Sequence, residues 1–439
     1  MIVFLMFAVL FVLLLVGFPV AFTLGGVATL FSLFTDKGLA LFGLLPSRMF
    51  GIVSNEMLLA APLFIYMGVM LEKSGLAEDL LETMALLFGK MRGGMAVAVV
   101  IVGALLAAST GIVGATVVTM GMLSLPTMLK RGYSKELATG TIAASGTLGQ
   151  IIPPSIVLIL LASQMGLDIG NVFKAAVTPG LILVGLYLVY ALIFAWLKPD
   201  AAPAMPDEDL AAFRQGNMVK RICFAFLSPL ILIIAVLGSI FAGIASPTEA
   251  AGVGALGAMI LTILHGRFSL KTLRAVMRET THLTSMVFII LCGATAFSLV
   301  FWKLGGEEAL IGAIERSNLG PYAFLALVML LMFLAGFFID FIEIIFIFIP
   351  VIMPVFRSYE MDPTWLAVVI AMNLQTSFLT PPFGFSLFYL KGVAPPEVRT
   401  THIYRGIIPF IIIQILALTA VIIWPDLALW LTRIQLGQH

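Results

Sequence analysis

Two motifs that each contain a double proline interrupt long uncharged stretches of the chain. They are SGTLGQIIPPS at 145–155 and NLQTSFLTPPFG at 373–384. A residue before proline avoids helical geometry, and proline has no N–H to donate, so both motifs predict a broken helix. The end of the first helical piece offers free carbonyls suited to a dehydrated cation, and the start of the next offers N–H groups suited to a carboxylate. A single break is equally consistent with a proline kink, but two at matching positions favour a binding site.

Side chains with neutral oxygen atoms accompany both breaks. Backbone groups without partners are costly in hydrocarbon, so a break must be buried in protein or line a cavity. Hydroxyl and amide oxygens at the same depth would add to the carbonyls there. These side chains are Ser145, Thr147, Asn373, Thr376, Ser377 and Thr380.

Each motif is preceded by an apolar stretch with small or acidic residues near its middle. In the first stretch these are Ser109, Thr110, Gly111 and Gly114; in the second they are Gly336, Asp340 and Glu343. An ionisable residue within a membrane is a functional candidate by default. Asp340 and Glu343 are therefore predicted at an ion site or a substrate gate. The alternative is that one of them pairs with a nearby basic residue such as Arg357.

The composition requires a membrane protein. Of 439 residues, 61% are hydrophobic and only 11% are charged, which excludes a soluble enzyme, a disordered chain and a disulfide scaffold. The formal net charge of +1 gives no reason to expect nucleic acid as a partner. There is no phosphate-binding loop, no His-Glu-x-x-His motif and no serine–histidine pairing, so neither ATP hydrolysis nor intramembrane proteolysis is expected. The uncharged start lacks the basic region of a removable signal and predicts two helices, 1–16 and 19–34.

The chain contains an internal duplication. When the second half is laid over the first so that Pro381 falls on Pro153, three more prolines coincide: Pro247 falls on Pro19, Pro354 on Pro126 and Pro382 on Pro154. A linker at 199–220, rich in Pro, Ala and acidic residues, separates the two halves. The fold class is therefore predicted as an all-α polytopic membrane protein with two structural repeats.

Each half is expected to contain scaffold helices, a re-entrant hairpin, a broken helix and a last helix. Stretches of about 37 residues are too long for one straight crossing and too short for two full crossings with a turn, which favours re-entrant hairpins. The short amphipathic segments 37–52 and 268–281 lie between the scaffold helices. The predicted elements of the first repeat, 1–198, are 1–92, 93–130, 134–166 and 178–198; those of the second, 221–439, are 221–304, 320–357, 363–391 and 406–431.

Five crossings per half would invert the second half relative to the first, which is the plan of many secondary transporters. With this topology one side of the membrane receives 17 of the 24 Lys and Arg residues and the other side seven. The positive-inside rule makes the first side cytoplasmic, so the linker is cytoplasmic and both termini are periplasmic.

Four runs of sequence resemble the large membrane subunit of the tripartite ATP-independent periplasmic (TRAP) transporters, the DctM-like family. The runs are STGIVGATVVTMGMLSLPTMLKRGY (109–133), GTLGQIIPPSI (146–156), PTEAAGVGA (247–255) and TSFLTPPFG (376–384). The resemblance implies Na⁺-coupled uptake of a small organic acid across the bacterial inner membrane by an elevator mechanism. It also implies two partners, a small membrane subunit of four helices and a periplasmic substrate-binding protein. Na⁺ is the coupling ion, and no cofactor is expected.

The resemblance further implies two sodium sites, each between a hairpin tip and a break. The first would consist of Ser109, Thr110, Gly111, Ser145, Gly146, Thr147 and Gly149. The second would consist of Gly336, Asp340, Asn373, Thr376, Ser377 and Thr380. The substrate-binding candidates are Ser109, Thr110, Pro153, Ser155, Thr380 and Pro381. Where many members of the family carry Ser-Gly-Ser-Ser at the first tip, this chain has Thr-Gly-Ile-Val at 110–113.

Two other functions remain open at this point. A stand-alone sodium–dicarboxylate carrier of the elevator type would need no partner chain. An ion channel or a proton-translocating membrane subunit would call for lysine and glutamate relays in several helices, whereas the central helices here are nearly free of charge.

Overall fold

A computed structural model describes residues 2–111, 113–206, 222–317 and 319–434, without the side chains of residues 109, 110, 223 and 313–315. The regular structure of these residues is helical, as the composition predicts. The greater part of the predicted linker, from residue 207 on, and the side chains of Ser109 and Thr110 lie outside the described part.

The first half contains ten α-helices and a 3₁₀ turn before the third. They are α1 (Ile2–Val16), α2 (Val20–Ser32), α3 (Leu45–Val53), α4 (Glu56–Lys73), α5 (Leu76–Leu87), α6 (Gly94–Thr110), α7 (Val113–Lys130), α8 (Lys135–Thr147), α9 (Ile156–Met165) and α10 (Ile169–Leu197).

The second half repeats this order with two differences, the joined helix described below and an additional short last helix. Its helices are α11 (Ser228–Phe241), α12 (Pro247–Leu264), α13 (Leu270–Lys303), α14 (Gly306–Ser317), α15 (Pro321–Ala335), α16 (Phe341–Ser358), α17 (Pro363–Leu379), α18 (Phe385–Val393), α19 (Thr400–Ile423) and the short α20 (Asp426–Leu429).

The alignment of the two halves that superimposes the prolines also superimposes the helices. Under it, α16 begins and ends at the positions equivalent to the ends of α7, and α17 begins at the position equivalent to the start of α8. Both double-proline motifs separate two helices, α8 from α9 and α17 from α18, and both Pro–Pro peptide bonds are cis. The duplication found in the sequence is thus a duplication of structure.

The predicted separation between the amphipathic segment 268–281 and a helix at 282–302 is wrong. One continuous helix, α13, covers both. In the first half, Asn55 caps α4 by accepting a hydrogen bond from the Met57 N–H at 3.0 Å, and the chain bends by 55° there. At the equivalent positions α13 has His282 and Leu283, which provide no such cap, so the helix continues.

Three further helix bounds differ from the expected ones, and one of them is the start of α19, at Thr400 instead of 406. Helix α10 begins at Ile169 instead of 178, because Asp168 caps it by accepting from the Asn171 N–H at 2.8 Å. Helix α19 ends at Ile423 instead of 431, two residues before Pro425, which cannot continue it. Charge-poor runs therefore located these helices but did not fix their ends.

Seven helices in the described part are long and apolar enough to cross a membrane, or eight if the bent pair before and after Asn55 is one span. Shorter apolar helices, which include α1, α2, α6, α9, α15 and α17, accompany them. This pattern agrees with an all-helical protein of many membrane passes.

The two halves are joined by close helix contacts rather than by separate cores. Helix α12 packs on α4, α13 on α2 and α19 on α8. At the last contact glycines are required, since a Cβ on Gly140 would overlap the Gly406 carbonyl oxygen and one on Gly406 would overlap the Glu136 carbonyl oxygen. The helices α8 and α19 therefore approach to backbone contact, as small residues allow in membranes.

We expect Gly140→Ala to lower the free energy of unfolding by about 1–3 kcal/mol, because the added methyl group must push α19 away from α8. The matched control is Gly185→Ala in α10, where an added Cβ meets nothing within 4 Å. That variant should be neutral, or stabilised by up to about 1 kcal/mol through helix propensity. Thermal unfolding in detergent measures both, and equal effects of the two substitutions would contradict the contact.

Candidate functional site

The two helix breaks lie against each other in the interior. The Nε2 atom of Gln375 in α17 donates to the Thr147 Oγ1 atom at the end of α8, at 3.4 Å. Both residues are buried, and they are 228 positions apart, the same separation as between Pro153 and Pro381. The same position of each repeat therefore meets at the centre, and both breaks belong to one site.

The first break is fully enclosed. Ser145, Thr147, Gly149 and Ser155 are all buried. The Ser145 hydroxyl donates to the Ile142 carbonyl at 3.2 Å, and the Thr147 hydroxyl donates to the Ala144 carbonyl at 2.9 Å. Since each hydroxyl uses its proton on the backbone, its oxygen lone pairs remain for a donor or a cation. This is the chemistry that the sodium-site prediction requires, although the prediction itself stays open.

Gln150 is an unexpected part of the first break. Its side chain is fully buried, and in the described part of the chain neither its Oε1 nor its Nε2 atom has a hydrogen-bond partner. Its backbone carbonyl accepts from the Ser155 hydroxyl at 2.9 Å, which ties the two sides of the break together. A buried amide without partners costs about 1–3 kcal/mol, so this side chain is suited to a polar ligand.

The tip of the first hairpin covers the first break. Gly111, at a φ of +61°, ends α6, and a Cβ on it would lie 3.1 Å from the Ile156 nitrogen at the start of α9. A Cβ on Gly149 would lie 2.7 Å from the Ala107 carbonyl oxygen. The tip thus reaches both sides of the break, as a re-entrant hairpin should. The side chains of Ser109 and Thr110 lie outside the described residues, so their predicted roles remain predictions.

The second break has the same pattern of hydroxyls. The hydroxyls at the end of α17 and at its C-cap donate to carbonyls three or four residues earlier: Thr376 to Met372 at 2.7 Å, Ser377 to Leu374 at 2.8 Å and Thr380 to Thr376 at 2.7 Å. Asn373 instead donates from Nδ2 to the Met329 carbonyl of α15, at 2.9 Å. The second tip touches this break where Gly336 lies against the Ser377 side chain.

Asp340 and Glu343 cap the second arm of the second hairpin. The Asp340 Oδ1 atom accepts from the Phe341 N–H at 2.7 Å, and the Glu343 Oε2 atom accepts from the Asp340 N–H at 3.0 Å. The alternative that one of them pairs with Arg357 is wrong, because Arg357 lies at the opposite end of α16, about 25 Å away along the helix. A capping role does not exclude a sodium ligand, and that assignment of Asp340 stays a prediction.

The two breaks differ in exposure. Pro153 and Ser155 are buried, whereas Thr380 and Pro381 are half-buried and Phe383 is 43% exposed. Of the substrate-binding candidates with described side chains, only the second pair is therefore accessible from outside. The second break is therefore more exposed than the first.

Sequence reasoning missed the two buried glutamines. Gln150 and Gln375 lie inside the quoted motifs, but the prediction of neutral oxygen ligands named hydroxyl residues and Asn373 and not these two amides. The available signal was an amide in an uncharged membrane stretch, since polar side chains at that depth are costly and are kept for pairing or function.

Comparison with known proteins agrees with this architecture. A family model described as "Tripartite ATP-independent periplasmic transporter, DctM component" matches residues 7–427. The C4-dicarboxylate TRAP transporter large permease protein DctM of Vibrio cholerae is 29% identical over 99% of this chain and 98% of its own length. The ectoine/5-hydroxyectoine TRAP transporter large permease protein UehC of Ruegeria pomeroyi is 30% identical over 97% of each chain.

A solved structure shares the fold. The YdaH transporter of Alcanivorax borkumensis, described as having an unusual topology, superposes with a TM-score of 0.63. The superposition covers 92% of this chain and 91% of the other, at 15% identity. At this identity the likeness concerns the fold alone.

We expect Asp340→Ala to lower the free energy of unfolding by about 1 kcal/mol, because the cap of α16 is lost, while Asp340→Asn should keep most of it. Thermal unfolding of the purified chain measures the difference. Equal stability of the alanine variant and the parent would contradict the capping role. Uptake by the asparagine variant then reports on the negative charge separately from the cap.

Proposed function

This chain belongs to the family of the DctM component of tripartite ATP-independent periplasmic transporters, and we propose that it carries a small organic acid into a bacterial cell together with Na⁺. The family consists of membrane transporter subunits and not of enzymes. The relatives named above act on a C4-dicarboxylate and on ectoines, so the class of substrate proposed here is a small organic acid without a narrower identity.

The observation that carries the proposal is the meeting of the two breaks through Thr147 and Gln375. Around this contact lie hydroxyl oxygens whose protons are already used, together with the unpaired Gln150 amide. Neutral oxygens bind Na⁺ without holding it as strongly as carboxylates would. The proposed sodium positions are those predicted from the sequence, one beside Ser145 and Thr147 and one beside Thr376 and Ser377.

The contacts between tips and breaks favour an elevator mechanism. Gly111 and Gly336 lie against Ile156 and Ser377 so closely that a side chain has no room. A hairpin that slid along its break would have to break these contacts. We therefore expect each hairpin and its broken helix to move as one body relative to the scaffold helices α1–α4 and α11–α13.

The proposed setting is the inner membrane, with both termini in the periplasm and two partner chains. Among the glycines of the scaffold helices, Gly25, Gly26 and Gly252 have nothing within 4 Å of an added Cβ. Gly254 and Gly257 instead face Met67 and Leu232 within the chain. The first group is the candidate contact for the small membrane subunit, since open glycines permit close helix approach in lipid.

Reconstitution tests the function directly. The chain is placed in liposomes with a small membrane subunit and a periplasmic binding protein of the same transport system, and uptake of a panel of labelled organic acids is measured. Uptake should require an inward Na⁺ gradient and both partners. Uptake that persists without sodium would refute the coupling, and uptake by this chain alone would favour the stand-alone carrier.

The ion sites are tested by Thr147→Ala and Thr376→Ala. Each removes one oxygen, so we expect the half-saturating Na⁺ concentration to rise by about tenfold or more, the equivalent of about 1–3 kcal/mol. Ser124→Ala is the control, because the buried Ser124 hydroxyl in α7 has no partner within the described ranges. If both threonine variants kept the parental Na⁺ curve, the breaks would not hold sodium, and Asp340 and Glu343 would be the next candidates.

A further inference from the structure

A second polar cavity lies away from the two breaks. It is a crevice of about 270 Å³ between α3 and α13 on one side and α9 and α16 on the other. Its polar lining consists of Arg48, Gln164, Thr295, Ser298 and Arg357, with Trp302 beside them. We call it the arginine crevice.

The crevice is elongated, with its cations at one end. On α16 its lining runs from Phe346 to Arg357, and on α13 from Leu291 to Trp302, which is about 16 Å on either helix. The Arg48 guanidinium lies over the Trp302 ring, 5.8 Å from the centroid, and therefore at the same end as Arg357 on its own helix. The opposite end is apolar and lies one to two turns from the second hairpin tip at Asp340.

Both arginines lack a carboxylate partner within the described residues. Among these residues, Lys73 pairs with Glu279, Arg267 with Asp79 and Arg433 with Asp426. None of these ion pairs includes Arg48 or Arg357. Both arginines are exposed and line the same small cavity, where an anion would lie beside two positive charges. Arginine also offers paired N–H donors that match the two oxygens of a carboxylate.

The position of the two charges is unusual for their side of the membrane. Arg48 and Arg357 belong to the seven Lys and Arg residues predicted outside the cytoplasm, the side that the positive-inside rule depletes. Topology alone therefore does not explain them. The neutral polar groups continue inward from them: the Thr295 hydroxyl donates to the Leu291 carbonyl at 2.8 Å and keeps its oxygen lone pairs for another donor.

We propose that the arginine crevice binds a carboxylate anion of about four carbons on its way from the periplasm to the breaks. The carboxylate lies between Arg48 and Arg357, and the rest of the molecule extends along Ser298, Thr295 and Gln164. The proposal rests on the proposed function for its direction and substrate class.

The two arginines lie on opposite sides of the elevator boundary that the proposed function assumes. Arg48 lies in the scaffold helix α3, and Arg357 lies in the hairpin arm α16. Movement of the hairpin unit would separate the two guanidinium groups. The anion is then held by both only in the arrangement described here, and it is released as the unit moves.

Binding is tested with succinate on the purified full chain, with succinamide as the uncharged ligand of the same length. The Trp302 indole, which contacts Arg48, reports through its fluorescence. We expect a saturable response to succinate near ~1 mM, the range of a weak site, and none to succinamide. The response should vanish in Trp302→Phe and in the double variant Arg48→Gln, Arg357→Gln. It should remain in Arg316→Gln, which removes an exposed arginine outside the crevice.

Uptake in the reconstituted system gives the second readout. Arg48→Gln and Arg357→Gln should each raise the half-saturating concentration of the transported acid about tenfold, with the half-saturating Na⁺ concentration unchanged, and the lysine variants should restore part of the loss. If succinate binding is lost only in the arginine variants but uptake by the parent does not depend on sodium, the Na⁺ coupling is refuted and the crevice proposal stands.

Three results would overturn the crevice proposal. They are a succinate response that survives in the double glutamine variant, no saturable response in the parent chain, and unchanged uptake constants in the arginine variants. If the variants instead weakened association with the periplasmic binding protein and kept the succinate response, the arginines would serve protein docking, and the proposal would equally fail.

Discussion

The structure depends on one constraint: inside a membrane, the backbone of an interrupted helix has no water to bind. Both breaks solve this by contact with a hairpin tip. The Ala107 carbonyl lies where a Cβ on Gly149 would stand, and Gly111 lies against the first N–H of α9. The hairpins are therefore covers for the breaks, and the glycines are required because the covers come closer to the breaks than a side chain would allow.

The duplication places equivalent positions of the two halves in contact, which restricts how their residues can diverge. Thr147 and Gln375 occupy the same position of each repeat and form a donor–acceptor pair. The Thr147 hydroxyl donates to its own helix, so its partner must donate to it, and an amide N–H₂ does so. The two halves are thus complementary where they meet. Ser145 and Asn373, which also occupy equivalent positions, form other hydrogen bonds, Ser145 to the Ile142 carbonyl and Asn373 to the Met329 carbonyl.

Local sequence was sufficient for much of the fold. Apolar runs located the helices, and the prolines located the breaks and the repeat, because both effects act within a few residues. Features that depend on packing were not predictable in this way. The continuity of α13 depends on the missing cap at Leu283, the position equivalent to Asn55. The capping role of Asp340 depends on the turn that places it before α16, and the arginine crevice depends on four helices that are distant in sequence. The buried glutamines were visible in the motifs, but their lack of partners is evident only in three dimensions.

The difference between the two breaks follows from how each tip is built. The first tip turns at Gly111 with no charged residue, and it packs flat enough to bury Pro153 and Ser155. The second tip carries the Asp340–Glu343 cap and large aromatic residues, and Phe338 and Phe383 contact each other at its rim with a centroid distance of 5.4 Å. Phe383 is exposed at this rim, although Gly336 of the same tip lies against Ser377 of the break. The arginine crevice ends within two turns of this same tip, on the arm that Asp340 caps. Phe338 and Arg357 belong to this one hairpin, so the more exposed break and one wall of the arginine crevice lie beside the same element.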